Sequence, residues 1–135
     1  MHVADTSAWV EFLLPSGSRK IQDELTYLIR AGTAAITDWI ILELMVGIRS
    51  NQDSAQLLSR LIHVHRLQFP QDGWPRAWHL AASLRKKAVT ASASDCLIAT
   101  TAILNGAILV HCHSDYELIA KHEKDLKTLD WTKLL

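Results

Sequence analysis

The sequence predicts a three-layer α/β/α fold with a central, mostly parallel sheet of four to five strands. Short apolar runs alternate along the chain with longer segments in which apolar residues recur at helical spacing. Runs such as Ile108–Val110 are apolar enough to be central strands, buried on both faces. Parallel strands need long crossover connections, and the intervening helices supply them.

Turn residues and caps divide the chain into these elements. Strands are expected at His2–Asp5, Ala34–Thr37, His65–Phe69, Ala107–His111 and, as an edge strand, Leu126–Leu129. Helices are expected at Ser7–Leu14, Arg19–Arg30, Thr37–Ile48, Asn51–Val64, from Gln71 or Pro75 to Lys87, Ser92–Asn105 and Tyr116–His122.

Composition limits the classes of protein that fit. With 135 residues, 49% of them apolar, the chain (1–135) is expected to form one domain with a sizeable core. Its 14 basic and 14 acidic residues cancel, which excludes a strongly basic nucleic-acid binder and leaves only local basic patches.

The two cysteines, Cys96 and Cys112, lack metal-site or paired spacing and are expected to be reduced thiols. No apolar run approaches the about 18 residues that span a bilayer, and the N-terminus lacks a basic leader pattern. A soluble, cytoplasmic protein is therefore expected.

Asp5 is the first candidate site residue. It ends a short apolar strand and is followed by Thr6, Ser7 and an apolar helical pattern. An open α/β sheet begins a ligand site in this way. The carboxylate is therefore expected in the crevice at the C-terminal ends of the strands.

Glu43 interrupts the otherwise apolar run Trp39–Val46. An unpaired buried charge costs several kcal/mol, so this carboxylate must protonate, find a partner or bind a cation. Exposure to solvent, or an ion pair with Arg49 or another basic residue, is the alternative interpretation.

Asp95 and Asp115 each have a local structural explanation as well. Asp95 continues an apolar helical stripe, yet its spacing from Ser92 matches a capping box. Asp115 follows the strand that ends at His111, and it could equally be the N-cap of the next helix. Each acid alone is ambiguous, but all four fall at one edge of the predicted sheet.

Three or four carboxylates within a few ångströms repel one another, so at least one would protonate unless a cation lies among them. Oxygen-only ligands favour Mg²⁺ or Mn²⁺, which leave positions for phosphate oxygens and an attacking water. The four acids therefore predict a Mg²⁺ (or Mn²⁺) site that acts on phosphate esters.

Four segments of the chain, in order, resemble the motifs of PIN-domain ribonucleases of the VapC toxin type. They are Val3–Val10, Ile41–Arg49, Ser92–Ala102 and Ser114–Ala120. The likeness covers nearly the whole chain, and four ordered motifs are far more specific than one. The resemblance implies the PIN-like version of the predicted fold.

The same resemblance implies a metal-dependent endoribonuclease toxin of a type II toxin–antitoxin system. Such proteins cut structured RNA, often tRNA, and are neutralised by a VapB-type antitoxin. The implied catalytic residues are Asp5, Glu43, Asp95 and Asp115, and the implied metal ligands are Asp5, Asp95 and Asp115. Thr6 or Ser7 would support a carboxylate or a metal-bound water.

His113 is a departure from the pattern, because many relatives carry an acid two residues before the last one. If His113 faces the site, the lost negative charge is expected to weaken the hold on a second hard cation. If strand alternation turns it away from Asp115, its identity has no effect.

Two further surfaces are candidates for binding. Arg85, Lys86 and Lys87 form a basic helix end that is either simply solvated or binds RNA phosphates near Asp95. An apolar run in the first helix exceeds what one buried helix face needs, so an antitoxin segment is expected to lie on it. The antitoxin-binding candidates are Trp9, Phe12 and Leu13. The resemblance also suggests a homodimer formed through other helices.

Three alternatives come from other classes. A haloacid-dehalogenase-type phosphatase also begins with a strand and Asp, but it needs a second Asp two residues later, where this chain has Ser7. A zinc site would need a third ligand motif beside the two His-x-His pairs. A non-catalytic PIN-fold RNA- or protein-binding module is harder to separate, although it would be expected to have lost one of the four acids.

Overall fold

The computed structural model describes all 135 residues and contains one five-stranded sheet, in which every pair of neighbouring strands is parallel. The strand order across the sheet is β3-β2-β1-β4-β5. The strands are β1 (His2–Ala4), β2 (Ala34–Thr37), β3 (His65–Leu67), β4 (Ile108–His111) and β5 (Lys127–Asp130).

Seven helices connect and follow the strands. They are α1 (Thr6–Leu13), α2 (Arg19–Arg30), α3 (Asp38–Val46), α4 (Asn51–Leu61), α5 (Trp74–Lys86), α6 (Ala93–Leu104) and α7 (Ser114–His122). Short 3₁₀ turns precede α5 at Gln71–Gly73 and end the chain at Thr132–Leu134. None of the helices is both long enough and apolar enough to cross a membrane.

The strand order reverses at β1, and this reversal creates the crevice of the fold. From β1 the chain builds outward through β2 and β3, then returns to the other side of β1 to form β4 and β5. In register, Val3 pairs with both Ala35 and Leu109. In open α/β sheets, ligands bind beyond the C-terminal ends of the strands at such a reversal.

The core is a single cluster of 30 buried residues around the sheet. Ile36 and Leu109, on central strands, are completely buried. Helix α2 buries Ile21, Leu25 and Leu28, which lie on one face at helical spacing. Burial of this stripe, rather than helix propensity alone, holds the helix against the sheet.

The predicted fold class and the order of elements are confirmed, and the differences lie at element ends. Strand β1 stops before Asp5, because Asp5 caps α1. Helix α4 stops at Leu61 instead of Val64, and β3 stops at Leu67 instead of Phe69. Helix α7 begins two residues earlier than predicted, because His113 caps it.

Candidate active site

Asp5 is the N-cap of α1 and lies at the reversal of strand order. Its Oδ1 accepts hydrogen bonds from Ser7 Oγ at 2.6 Å and from the Ala8 N–H at 3.2 Å. Its backbone N–H donates to the carbonyl of Val110 on β4 at 2.9 Å. The residue is only 4% exposed. The same buried carboxylate therefore caps α1 and lies in the crevice.

Burial raises the pKa of the Asp5 carboxyl group above its ordinary value. The hydrogen bonds from Ser7 and Ala8 and the nearby His111 act in the opposite direction but are outweighed. Ser7 also accepts a hydrogen bond from the Cys112 N–H at 3.0 Å, which ties the end of β4 to the Asp5 cap. Hydrogen bonds therefore fix the orientation of the Asp5 carboxylate, but burial makes its negative charge unfavourable. A cation bound beside it would offset this unfavourable desolvation.

Glu43 reaches the start of α1 from α3. Thr6 Oγ1 donates to Glu43 Oε1 at 2.7 Å, a contact across 37 residues of sequence. The neighbours Ile40, Ile41 and Leu44 are buried in the core. The partner of the Glu43 carboxylate is thus a neutral hydroxyl next to Asp5, and no basic side chain forms an ion pair with it.

Asp95 lies in the first turn of α6 and completes a capping box there. Its N–H donates to Ser92 Oγ at 3.0 Å, and the Ser92 N–H donates to Asp95 Oδ2 at 3.4 Å. The structural interpretation of the Ser92-to-Asp95 spacing is confirmed. It does not remove Asp95 from the candidate site, because its negative charge, like those of Asp5 and Glu43, raises the pKa of the buried Tyr116.

Tyr116, in the first turn of α7, marks where three of the acids come together. The residue is 2% exposed, and its pKa is raised by burial and then by the negative charges of Asp5, Asp95 and Glu43. Sequence reasoning did not select this residue, since its position among the acids depends on how α6 and α7 pack. The effect of all three charges on the pKa of one buried phenol indicates that these acids lie in the same region of the molecule.

The described contacts of the Asp115 carboxylate and N–H are with His113. The Asp115 N–H donates to His113 Nδ1 at 3.4 Å, and Asp115 Oδ2 lies 3.5 Å from the same ring nitrogen. The possibility that Asp115 caps the last helix is wrong, because His113 is the cap and Asp115 lies in the first turn. With 40% of its side chain exposed, Asp115 lies at the rim of the site.

His111 fixes the turn between β4 and α7. It is completely buried; its Nδ1 accepts the His113 N–H at 3.1 Å and its Nε2 lies 2.8 Å from Glu117 Oε1. Because Nδ1 accepts this hydrogen bond, Nε2 carries a proton and donates to Glu117. The ring also packs on Tyr116, with 5.4 Å between ring centroids.

The donor atoms at the site are carboxylate and hydroxyl oxygens, which fit a hard divalent cation better than a soft one. No three His, Cys, Asp or Glu side chains lie close enough to hold a metal ion together as they stand. The carboxylates of Asp5, Glu43 and Asp95 would therefore have to move closer to share one. The buried Asp5 carboxyl group, with its raised pKa, has the most to gain from a cation.

The predicted RNA-binding residues lie at an exposed helix end. Arg85, Lys86 and Lys87 are all exposed at the C-terminal end of α5, which packs against α6. Lys87 Nζ also donates to the carbonyl of His122 at 3.4 Å. The basic residues are therefore accessible, and they lie on a helix adjacent to the one that carries Asp95.

A groove of about 760 Å³ lies between α1, α3 and α4. Leu13 and Leu14 line it, and Thr6 and Glu43 also border it, so the groove reaches the acidic site. The antitoxin-binding prediction was wrong for Trp9, which is completely buried because it faces the core. Phe12 is half-buried and packs against the Arg60 guanidinium at 5.1 Å.

Comparison with known protein families shows to which family this chain is related. The sequence pattern of the PIN domain family matches residues 3–122. The chain belongs to the PIN domain family. Curated PIN relatives include a VapC ribonuclease of Mycobacterium bovis and ribonuclease VapC11 of Mycobacterium tuberculosis. Each is 31% identical over 125 residues, covering 90% of this chain and 92% of the relative.

Solved structures with the same PIN fold include VapBC2 from Rickettsia felis bound to a DNA fragment from its promoter, with a TM-score of 0.81 and 21% identity. Another is DNA-bound VapBC from Salmonella typhimurium, with a TM-score of 0.78 and 18% identity. The matches cover 96% of this chain and 98% and 97% of those chains, respectively. At these identities the likeness confirms the fold.

The raised pKa of Asp5 predicts how the metal-free protein responds to pH. An acid whose folded pKa exceeds its unfolded value favours folding at low pH, and this contribution is lost as pH rises through the folded pKa. We expect Asp5→Asn to raise the melting temperature in excess chelator at neutral pH, because the amide keeps the cap without the buried charge. The advantage should shrink as pH falls toward about 4.

Thermal unfolding of both proteins across this pH range measures the effect. Asp72→Asn removes an equal charge at an exposed position and should show no such pH-dependent advantage. Identical melting curves for wild type and Asp5→Asn at every pH would contradict the assignment.

Proposed function

We propose that this chain is a Mg²⁺-dependent (or Mn²⁺-dependent) endoribonuclease toxin, cytoplasmic and neutralised by a VapB-type antitoxin. The observation that supports the proposal is the buried Asp5 carboxylate at the strand-order reversal of a PIN fold, with Glu43 hydrogen-bonded to the adjacent Thr6. The curated PIN relatives at 31% identity are ribonucleases by name. The substrate is RNA, with tRNA or another structured RNA as the expected class.

The acidic side chains have different roles in the proposed phosphodiester hydrolysis. Asp5, Asp95 and, at the rim, Asp115 would hold the cation, which when bound supplies a polarised phosphate and an acidified water. Glu43, held by Thr6, is the remaining carboxylate available to accept a proton from the attacking water. Ser7 holds Asp5 in a fixed orientation, and burial limits access of bulk water to the Asp5 carboxylate.

The phosphates of RNA and the acidic side chains of the site repel one another. Basic groups near the site are therefore needed to bind the RNA. Arg85, Lys86 and Lys87 are exposed near α6 and supply three positive charges for phosphate contacts. The net charge of the chain is zero, which suits a protein that binds RNA only at one such patch.

Asp95→Asn tests catalysis directly. The amide keeps the side-chain oxygen of the capping box but removes the charge that would hold the cation. We expect RNA cleavage to fall by about 10²-fold or more with little change in melting temperature. Cleavage of total tRNA with Mg²⁺, followed by mapping of the cut ends, is the measurement.

Asp72→Asn, which changes an exposed acid without a side-chain hydrogen bond or ion pair, is the matched control and should cut at the wild-type rate. Full activity of Asp95→Asn, or of wild type in excess chelator, would refute metal-dependent cleavage. A wild-type protein that binds RNA without cutting it would instead indicate a non-catalytic PIN-fold module.

The groove beside the acidic site is the proposed antitoxin site. Leu13 and the 47%-exposed Leu14 give it an apolar wall, and its charged lining residues are two basic, Arg49 and Arg60, and two acidic, Glu43 and Asp53. A partner segment with apolar side chains and charges of both signs would match this lining. Because Glu43 borders the same groove, an occupant would also cover part of the acidic site.

Leu14→Asp should weaken antitoxin binding by about 2 kcal/mol or more, because a charge replaces an apolar contact at the groove wall. Leu118→Asp, on α7 and also 47% exposed, is the control and should bind normally. Binding of a VapB-type antitoxin by calorimetry, with circular dichroism to verify folding, distinguishes the two variants. Unchanged affinity in Leu14→Asp would place the antitoxin elsewhere.

The apolar side chains outside the groove support a homodimer. Leu42 and Val46 on α3 and Leu58 and Ile62 on α4 are between 49% and 80% exposed. Apolar residues spaced in this way on two neighbouring helices are typical of a surface that a partner covers. A second copy of the chain is the proposed occupant, through helices other than α1.

His113→Asp tests the departure from the family pattern. His113 Nδ1 already serves as the cap of α7, and its ring lies 3.5 Å from Asp115 Oδ2. An aspartate keeps a capping oxygen and adds a negative charge beside Asp115, so we expect tighter Mg²⁺ or Mn²⁺ dependence and activity retained at lower pH. Metal titrations and pH profiles of cleavage are the measurements. Unchanged profiles would show that His113 acts only as a helix cap.

A further inference from the structure

Trp39, in the first turn of α3, is an exposed aromatic residue beside the candidate site that no step of the proposed hydrolysis uses. We propose that its indole ring stacks on an unpaired base of the RNA substrate, next to the phosphate that is cut. The inference rests on the proposed ribonuclease function and defines its substrate further, because the cut phosphate would adjoin a nucleotide that is not base-paired.

Trp39 lies between two of the candidate acids. On α3 it precedes Glu43 by four residues, so the two side chains are neighbours on one face of the helix. Its Nε1 donates a hydrogen bond to Ser94 Oγ on α6 at 3.1 Å, and Ser94 is the residue before Asp95. The ring therefore connects the helices that carry the second and third acidic motifs.

The hydrogen bond to Ser94 fixes the ring and occupies the only polar atom of the side chain. The residue nevertheless remains 38% exposed, and the rest of the indole is apolar carbon. Among the exposed aromatic residues, which are Tyr27, Trp39, Trp74 and Trp78, only Trp39 makes a side-chain hydrogen bond. A ring that is already held in place loses little conformational freedom when a flat partner packs on it.

A base stacked on Trp39 would leave its own phosphate close to the acids. One ribose separates the base of a nucleotide from its phosphate, and about one helical turn separates Trp39 from Glu43. Thr6 Oγ1 donates to Glu43 at 2.7 Å, and Thr6 directly follows Asp5. The stacked nucleotide would therefore adjoin the phosphate that the carboxylates act on.

Stacking suits a site that is itself acidic. An aromatic ring binds any base through its flat face and needs no positive charge to do so. Trp39 would thus hold the RNA without a cationic group that repels the metal ion. The neighbouring Asp38 is paired with Arg66, whose Nη1 lies 2.8 Å from Asp38 Oδ1. The acid next to the ring therefore adds no unpaired negative charge that would repel RNA phosphates.

The stacked base must be unpaired, because the neighbouring base pairs cover both faces of a base inside a double helix. Proteins stack aromatic side chains on RNA bases in loops, bulges and ends, where the bases can turn outward. We therefore expect the mapped cut in tRNA or another structured RNA to lie beside an unpaired nucleotide. A cut inside a continuous base-paired stem would contradict the proposal.

Trp39→Leu and Trp39→Phe together test the stacking. Leucine keeps an apolar side chain but has no aromatic face, whereas phenylalanine keeps an aromatic face and loses the N–H. We expect the Kd for a short single-stranded oligoadenylate, measured in excess chelator, to rise about tenfold in Trp39→Leu and much less in Trp39→Phe. In cleavage assays with Mg²⁺, the KM of Trp39→Leu should rise in parallel, while kcat changes much less.

An abasic oligomer of equal length and charge shows whether the base is the partner of the ring. Wild-type protein should bind it more weakly than oligoadenylate, and this difference should largely disappear in Trp39→Leu, because either change removes the same contact. Tyr27→Leu is the matched control, since it removes a 68%-exposed ring near the end of α2 that leads into the start of β2. Its affinity for oligoadenylate should equal that of wild type.

Equal affinities of wild type and Trp39→Leu for oligoadenylate would overturn the proposal, and so would equal losses in Trp39→Leu and Trp39→Phe. A Trp39→Leu protein that loses only its dimeric state in gel filtration would also overturn it, and would assign Trp39 to the surface of Leu42 and Val46. Circular dichroism verifies folding, and Trp39→Met, which also lacks an aromatic face, replaces a leucine variant that does not fold.

The outcomes also separate this inference from the proposed function. Unchanged binding by Trp39→Leu, together with Mg²⁺-dependent cleavage by wild type, would refute the role of Trp39 and leave the ribonuclease function intact. Wild-type protein that binds oligoadenylate through Trp39 in chelator but never cuts RNA with Mg²⁺ would refute the proposed hydrolysis and leave the stacking intact.

Discussion

The structure depends on the burial of the Asp5 carboxylate at the point where strand order reverses. The residue joins three elements at once: it ends β1, caps α1, and bonds through its N–H to Val110 of β4. Ser7 extends this connection by donating to Asp5 and accepting from Cys112. The ends of the two central strands are therefore fixed relative to each other by groups that also form the site.

A helix cap alone does not require this burial. Less buried Ser, Thr, Asn or Asp residues cap helices equally well, and the half-buried Ser18 and the exposed Ser50 do so at α2 and α4. At Asp5 the carboxylate is instead desolvated, which raises its pKa and disfavours its charge. Strongly perturbed groups in a crevice occur preferentially at functional sites, so the stability lost here is best explained by a function.

Local signals predicted most of the fold, because each element carries its own pattern. The bounds of α2 and β2 were predicted as observed, since Ser18 caps the helix and the apolar residues keep a clear period. The start of α7 was missed, because a histidine ring nitrogen is an unusual N-cap. Burial of Trp9 was also missed, because the apolar run of α1 gives little indication of which face meets the core.

For the candidate site too, local sequence patterns pointed to individual residues but not to the contacts between distant segments. Asp5 and Asp95 were identifiable from their positions at helix starts, and Glu43 from its apolar surroundings. The surroundings of these acids depend on packing between distant segments: Thr6 donates a hydrogen bond to Glu43 across 37 residues, and the negative charge of Asp95 on α6 raises the pKa of Tyr116 on α7. Sequence spacing cannot report contacts of this kind.

The three acids of the candidate site have no basic partner in an ion pair. Ion pairs elsewhere in the chain involve Arg19, Arg66 and Arg76, but none includes Asp5, Glu43 or Asp95. The three acids bond instead to neutral hydroxyls and amides, which fix their orientation without cancelling their charge. A lysine or arginine at the centre would stabilise the three charges more strongly, but it would also repel a metal ion. Neutral donors therefore keep the acids ordered while preserving the negative potential that a divalent cation needs.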